Sequence, residues 1–132
     1  IIMTSDECIQ YFANDRFAND ATGIEILEVT GNYAKTRLKI KPKHRNANNV
    51  VMGGCIYTLA DYTFALAANC ENPPTTTLSS NIVFNAPAFG DELYAVAEVI
   101  KNGRSICTFD VKVFDEKDVL IATVMLVGFR KS

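Results

Sequence analysis

The stretch NNVVMGGCIYTLADYTFALAAN, residues 48–69, decides the fold of this 132-residue chain. From Gly54 to about Asn69 it is rich in alanine and leucine, and its apolar residues recur at helical spacing, which predicts one long helix. Because so little charge lies on any face of this helix, we expect it to be almost wholly buried. An apolar helix must pack against other secondary structure, and a sheet can supply that surface because the rest of the chain is rich in segments that form strands.

Those segments predict a sheet. A short helix is expected first, at about residues 4–14, where Thr4 and Glu7 can form a capping box. The last apolar run is predicted to be a central strand covered on both faces. We therefore predict an α+β fold, an antiparallel sheet wrapped around one long central helix, with residues 1–132 forming a single domain. The predicted strands are 23–29, 33–40, 75–86, 92–101, 105–114 and 119–129.

Composition restricts the function. The net charge of −2 argues against nucleic acid or an anionic membrane as the main partner. No apolar run reaches the roughly 18 residues of a membrane-spanning helix, and the first residues lack the pattern of a signal peptide, so we expect a cytoplasmic protein. The four cysteines are scattered and there is one histidine. We therefore expect free thiols, no metal site and no redox cofactor.

Asp61 is the single charge in the predicted helix. Aspartate is a poor residue for a helix interior, and an unpaired buried carboxylate is costly. Two interpretations stay open: a structural carboxylate that accepts hydrogen bonds from hydroxyls such as that of Thr58, or a general base or nucleophile in a cleft that holds little water. Gly53 and Gly54 open the same helix, where free backbone N–H groups suit a developing oxyanion.

The distance between these groups predicts an oligomer. Gly53 and Asp61 are eight residues apart, which is roughly 12 Å along a helix. One reacting carbonyl cannot contact both positions on the same chain. If both groups act on one carbonyl, they come from different chains, and catalysis requires a symmetric dimer with two equivalent sites.

The residues NANNVVMGGCIYTLADYTFALAA (46–68) and TLSSNIVFNAPA (77–88) resemble the central motif of PaaI-like acyl-CoA thioesterases of the hotdog fold. The resemblance extends over about residues 22–129. It implies hydrolysis of an acyl-CoA thioester, with coenzyme A as part of the substrate and no separate cofactor. One position departs from the family, because Met52 stands where the motif usually has histidine.

The resemblance also assigns roles to residues of this chain. Asp61 matches the carboxylate that attacks the thioester carbonyl or activates water. Gly53 matches the glycine whose N–H polarises that carbonyl across the dimer interface. Asn46 matches a loop amide that helps to bind the carbonyl or the water, and Thr77 matches a small hydroxyl residue near the attacking group.

Substrate-binding candidates surround these positions. The phosphates of coenzyme A need basic contacts, and Lys101 and Arg104 flank a predicted Asn102-Gly103 hairpin turn, with Arg130 and Lys131 after the last strand. His44 lies in a basic loop and is expected to be solvated, so a His44–Cys55 catalytic dyad is disfavoured. The candidates for binding the acyl part and the thioester are Gly54, Met52, Tyr57 and Phe84.

Two functions follow. The first is an acyl-CoA thioesterase that acts as a homodimer at least, with a homotetramer favoured. The second is a non-catalytic hotdog module that binds acyl-CoA, which the loss of histidine at Met52 favours. A hotdog dehydratase is a weaker candidate function, because His44 is poorly placed to act as the catalytic histidine of such an enzyme. The sequence leaves open the acyl chain length and the choice between coenzyme A and acyl carrier protein.

Overall fold

The computed structural model describes residues 2–131 and confirms the predicted order of elements. Two short elements have no counterpart in the prediction, a π-helical turn at Phe17–Thr22 and a 3₁₀ turn within the loop before the long helix. The helices are α1 (Ser5–Phe12) and α2 (Gly53–Asn69), with a 3₁₀ turn at Pro42–His44. The strands are β1 (Glu25–Thr30), β2 (Tyr33–Lys39), β3 (Thr75–Phe84), β4 (Glu92–Asn102), β5 (Ile106–Asp115) and β6 (Leu120–Arg130).

The six strands form one antiparallel sheet in the order β1-β2-β4-β5-β6-β3. Helix α2 packs on its inner face, which confirms the predicted α+β architecture. Strand β3 lies at one edge and pairs only with β6 among the described residues. Strand β3 runs beside α2, and its edge position leaves one side of its backbone open to a further strand next to the helix.

The packing under α2 explains its burial. Phe64 of the helix meets Phe109 of β5 edge to face, with ring centroids 5.4 Å apart. The one polar pair in this region, Thr36 and Thr63, shares a hydrogen bond of 2.7 Å, so neither hydroxyl is buried without a partner. Small residues on β4, Ala95 and Ala97, are fully buried and allow the helix to approach the sheet closely.

The expectation that β6 is covered on both faces is wrong, and the expected burial of α2 is met except along one side. Strand β6 is internal to the sheet, but Met125 and Phe129 on its outer face are 52% and 39% exposed, because α2 covers only the inner face. Helix α2 also keeps one open side. We call this side the open stripe of α2: Gly54 is exposed, and Tyr57, Thr58, Asp61 and Ala65 are partly exposed.

The guanidinium of Arg130 is buried against the C-terminal end of α2. Arg130 is 4% exposed and donates to the Ala68 carbonyl at 2.8 Å, at the C-terminal end of α2 where the helix dipole favours a cation. The same side chain donates to Asn102 Oδ1 at 2.7 Å. Arg130 is therefore a structural link between α2 and the β4–β5 turn, and not the exposed phosphate contact considered from the sequence.

We predict that Gly128→Ala destabilises the fold. A Cβ at Gly128 would lie 2.7 Å from Thr75 Cγ2 and 2.9 Å from Cys107 Sγ, in the closest layer between β6 and α2. Overpacking of this kind costs about 1–3 kcal/mol in the free energy of unfolding. Urea titration checks this, with Gly31→Ala as the control, because a Cβ there meets nothing nearer than 3.5 Å. Equal midpoints for the two variants would contradict the packing described here.

Candidate active site

Asp61 lies in the middle of the open stripe and has no hydrogen-bond partner or ion pair within residues 2–131. The hydroxyl of Thr58, the partner suggested by a structural interpretation, donates instead to the Gly54 carbonyl at 2.8 Å. A purely structural carboxylate is normally satisfied by such donors. The interpretation as a chemically active group is therefore favoured.

The surroundings of Asp61 make its carboxylate a stronger base. Burial raises the pKa of Asp61, and the nearby Asp15 carboxylate raises it further. Asp15 belongs to the turn after α1, which is held against α2 because the Tyr62 hydroxyl and the Asn19 amide both donate to the Phe12 carbonyl, at 2.8 and 2.9 Å. A carboxylate with a raised pKa is a stronger base, which suits general-base catalysis.

The N-terminal end of α2 supplies two free donors. Met52 occupies the N-cap position, and its side chain makes no capping hydrogen bond. The Cys55 and Ile56 N–H groups donate to the Met52 carbonyl at 2.9 and 3.2 Å. The Gly53 and Gly54 N–H groups have no acceptor among the described residues, so they can donate to a ligand.

The two glycines have different surroundings. A Cβ at Gly53 would lie 3.1 Å from Cζ of Phe84, so the Phe84 ring at the end of β3 packs directly on this position. A Cβ at Gly54 would meet only Cε of Met52, at 3.8 Å. The candidates Gly53 and Phe84 are therefore brought together on the β3 side of the helix, and Gly54 and Met52 on the other side.

Strand β3 runs antiparallel to α2 along the open stripe. Near the start of the helix, the hydroxyl of Tyr57 lies 2.6 Å from Ser80 Oγ. At its end, the Thr75 N–H donates to Asn69 Oδ1 at 2.8 Å. Asp61 lies between these two contacts along α2, and Thr77 lies between Thr75 and Ser80 along β3.

Asn46 organises the loop that leads into α2. Its Oδ1 accepts hydrogen bonds from the Asn48 and Val50 N–H groups, at 2.9 and 3.3 Å. The side-chain NH₂ of Asn46 donates to none of the described residues and lies in an exposed part of the loop. Asn46 is therefore both a structural residue of the loop and a free donor near the start of the helix.

Lys101 and Arg104 are not brought to this end of the helix in one chain. Both are exposed beside the β4–β5 turn, which Arg130 ties to Ala68. Ala68 is fifteen residues from Gly53, or roughly 22 Å along the helix. A phosphate contact at the same chain's Gly53 end is thus excluded for these two side chains.

The expectation that His44 is solvated is wrong. His44 is 5% exposed, its Nδ1 accepts from the Lys41 N–H at 2.9 Å, and its Nε2 donates to the Thr22 carbonyl at 2.7 Å. Both ring nitrogens are therefore occupied by backbone groups. His44 and Cys55 do line the same pocket, but burial raises the pKa of the Cys55 thiol, so the catalytic dyad stays disfavoured.

The described chain offers no metal site of the usual ligands. Within residues 2–131, no three histidine, cysteine, aspartate or glutamate side chains lie close enough together to hold a metal ion. The four cysteines carry free thiols, as predicted. No helix in the described part of the chain is both long enough and apolar enough to cross a bilayer.

We predict that Asp61→Asn raises the thermal stability at neutral pH. The folded protein holds the Asp61 proton more tightly than the unfolded chain does, so this carboxyl destabilises the fold increasingly as the pH rises above the ordinary value of 3.8. The gain in Tm at pH 7 should be on the order of 1–3 °C and should vanish near pH 3. Calorimetry at a fixed protein concentration checks it, with the exposed Asp20→Asn as control. A clear loss of Tm at pH 7 would show that the Asp61 carboxylate is structural.

Comparisons with known proteins identify the family of this chain. The family model described as the thioesterase superfamily matches residues 48–122, which include α2 and β3 to β5. The acyl-coenzyme A thioesterase PaaI of Escherichia coli K12 is 28% identical over 84% of this chain and 79% of its own length. A relative from Archaeoglobus fulgidus that carries the name "Putative esterase" is 36% identical over 74% of this chain; the match spans 64% of that relative, slightly under two thirds.

Solved structures show the same fold. The E. coli PaaI protein superposes with a TM-score of 0.90 at 21% identity, over 97% of this chain and 94% of its own. A "Hypothetical Thioesterase Protein" from Streptococcus pneumoniae TIGR4, solved with coenzyme A, superposes with a TM-score of 0.85 at 20% identity, over 94% and 97% of the two chains. With the family match covering more than half of its residues, the chain belongs to the thioesterase superfamily and is a PaaI-like protein of the hotdog fold.

Proposed function

We propose that this protein is an acyl-CoA thioesterase whose sites each combine Asp61 of one chain with the N–H of the partner's Gly53. The observation that carries the proposal is the pair of unsatisfied groups on α2: a half-buried carboxylate and a helix N-terminus, neither of which has a hydrogen-bond partner in the described chain. The similarity to the E. coli acyl-CoA thioesterase and to a protein solved with coenzyme A supports the choice of substrate.

The geometry of one chain supports a two-chain site. Tyr57 lies midway between Gly53 and Asp61 in the sequence. A twofold axis close to Tyr57 would run the two α2 helices antiparallel and set Asp61 opposite the partner's Gly53. The free edge of β3 would lie in the same interface, where Leu78, Val83 and Phe84 are 57%, 54% and 51% exposed in the single chain. A dimer would cover this apolar surface.

The same axis gives the basic residues a role. Because the two α2 helices would run antiparallel, the C-terminal end of the partner's α2 would extend past the N-terminal end of α2 in the first chain. Lys101 of the partner subunit and Arg104 of the partner subunit would then lie near the mouth of the site, where the phosphates of coenzyme A carry their charge. This accounts for their position at the far end of the helix within one chain.

The chemistry follows from these positions. The Asp61 carboxylate takes a proton from water, and the resulting hydroxide attacks the thioester carbonyl carbon. The carbonyl oxygen becomes an anion that accepts a hydrogen bond from the partner's Gly53 N–H, at the positive end of the helix dipole. The oxyanion then collapses, the C–S bond breaks, and the coenzyme A thiolate leaves and takes up a proton. In the alternative route, Asp61 itself attacks and forms an anhydride that water opens.

Two further residues assist this step. Asn46 has a free side-chain NH₂ that can donate to the carbonyl oxygen or to the attacking water. Thr77 belongs to β3, which runs beside α2, and in this proposal its hydroxyl holds the water for deprotonation. The homotetramer and the cytoplasmic location also stay predictions.

We predict that thiol release from acyl-CoAs depends on both groups. Asp61→Asn should lower kcat at least about a hundredfold, because amide nitrogen and oxygen cannot take the proton. Gly53→Pro should lower kcat about 10²–10³-fold relative to Gly53→Ala, because proline removes the N–H and is otherwise well accepted at the first position of a helix. Gly53→Ala is the matched control, since it keeps the N–H and presents the same Cβ to Phe84. A colorimetric thiol assay over short, long and aromatic acyl-CoAs gives the readout.

The outcome separates the two candidate functions. Full turnover by Asp61→Asn would reject the assignment of Asp61. The alternative, a module that binds acyl-CoA without cleaving it, is favoured by Met52, whose thioether cannot replace the hydrogen bonds of a histidine. Tight binding of acyl-CoA in calorimetry, together with no thiol release by the wild type, would establish that alternative.

A further inference from the structure

We propose that the pocket between the π-helical turn and the first two turns of α2 holds the acyl group, and that it selects straight, unsubstituted apolar chains of up to about ten carbons. The inference rests on the proposed function, because it names the substrate class of the same site. We call this cavity the acyl pocket. Its volume is about 320 Å³, and its walls include Phe17, Ala21, Met52, Gly54, Cys55 and Thr58.

The acyl pocket adjoins the groups that would hold the thioester. Gly54 belongs both to its wall and to the open stripe, directly after the Gly53 N–H. Gly54, Thr58 and Asp61 follow one another along the same face of α2, at spacings of four and three residues. A carbonyl bound at the start of the helix can therefore extend its alkyl chain into the acyl pocket without crossing the backbone.

The polar groups of the pocket wall are largely occupied. Both nitrogens of His44 bond to backbone groups, and one of these is the Thr22 carbonyl. The Thr58 hydroxyl donates to the Gly54 carbonyl at 2.8 Å. The Cys55 thiol stays neutral because burial raises its pKa. A hydroxyl on the acyl chain would therefore lose its water and gain few new hydrogen bonds.

Two large apolar side chains stand exposed at the pocket, Phe17 at 68% and Met52 at 58%. An apolar ligand would cover both side chains, and the removal of this apolar surface from water would favour binding. Met52 occupies the position where the motif usually has histidine, so this chain presents a flexible thioether to the ligand in place of a hydrogen-bonding ring. Methionine in place of histidine at position 52 thus weakens the recognition of polar groups and extends the apolar wall of the acyl pocket.

The volume sets the length limit. A group the size of a water molecule takes about 30 Å³, so the pocket holds about ten such groups. The single charged residue on its wall, Lys43, is exposed. An alkyl chain of eight carbons fits this space.

The first test compares substrates on the wild-type protein. The kcat/KM of thiol release should rise from acetyl-CoA to octanoyl-CoA and fall for palmitoyl-CoA. ω-Hydroxyoctanoyl-CoA should be about 10–100-fold poorer than octanoyl-CoA, the discrimination expected of an apolar site. Equal kcat/KM values for these two substrates would overturn the proposal.

The second test fills the pocket. Ala21→Phe places a ring on its wall, so the ratio of kcat/KM for octanoyl-CoA to that for acetyl-CoA should fall at least about tenfold. Ala13→Phe makes the same change at an exposed position outside the pocket wall and should keep the wild-type ratio. An unchanged ratio in Ala21→Phe would overturn the proposal while leaving the thioesterase assignment intact.

A third measurement separates the two proposals if no acyl-CoA is hydrolysed. That result would reject the proposed hydrolysis, and S-octyl-CoA, a thioether that cannot be cleaved, then serves as the probe in calorimetry. Binding that is at least about tenfold weaker to Ala21→Phe than to the wild type would support the acyl pocket. Equal binding to both proteins would overturn it.

Discussion

The rest of this structure depends on one constraint: a seventeen-residue apolar helix must be buried, and a single sheet can cover only one side of it. The inner face of the sheet takes the large side chains, and the N-terminal segment covers a second side through the contacts around Tyr62. The open stripe is the part of α2 that neither the sheet nor the N-terminal segment covers. Asp61 lies in the middle of that stripe, so the same packing that buries the helix leaves one carboxylate half desolvated and without a partner.

An incompletely covered helix explains why the proposed chemistry needs a second subunit. The groups with free hydrogen-bonding capacity, Asp61 and the Gly53 N–H, lie two turns apart and cannot meet on one carbonyl. The open stripe and the free edge of β3 lie side by side, so a second copy that covers one also covers the other. In this account, burial of exposed apolar surface and assembly of the site are one event.

Much of this could be predicted from the sequence, because it rests on local patterns. Helical spacing located α2, alternation located the strands, and Asp61 stood out as a charge within an apolar run. The error at His44 and the failure to find Asp15 both involve contacts between distant segments. His44 has a basic, polar neighbourhood in the sequence, yet it is buried because the Thr22 carbonyl, contributed by an irregular π-helical turn, becomes its partner. Asp15 has no motif at all and reaches Asp61 only through the tertiary fold.

The most direct test of the two-chain site is complementation between inactive variants. Asp61→Asn and Gly53→Pro chains are each purified, unfolded together, refolded at equal concentrations, and assayed for thiol release. If each site takes Asp61 from one chain and Gly53 from the other, half of the dimers are mixed and each mixed dimer has one intact site, so the mixture should recover about one quarter of the wild-type activity. No recovery in a mixture shown to contain mixed dimers would mean that both groups act within one chain, and would contradict the account.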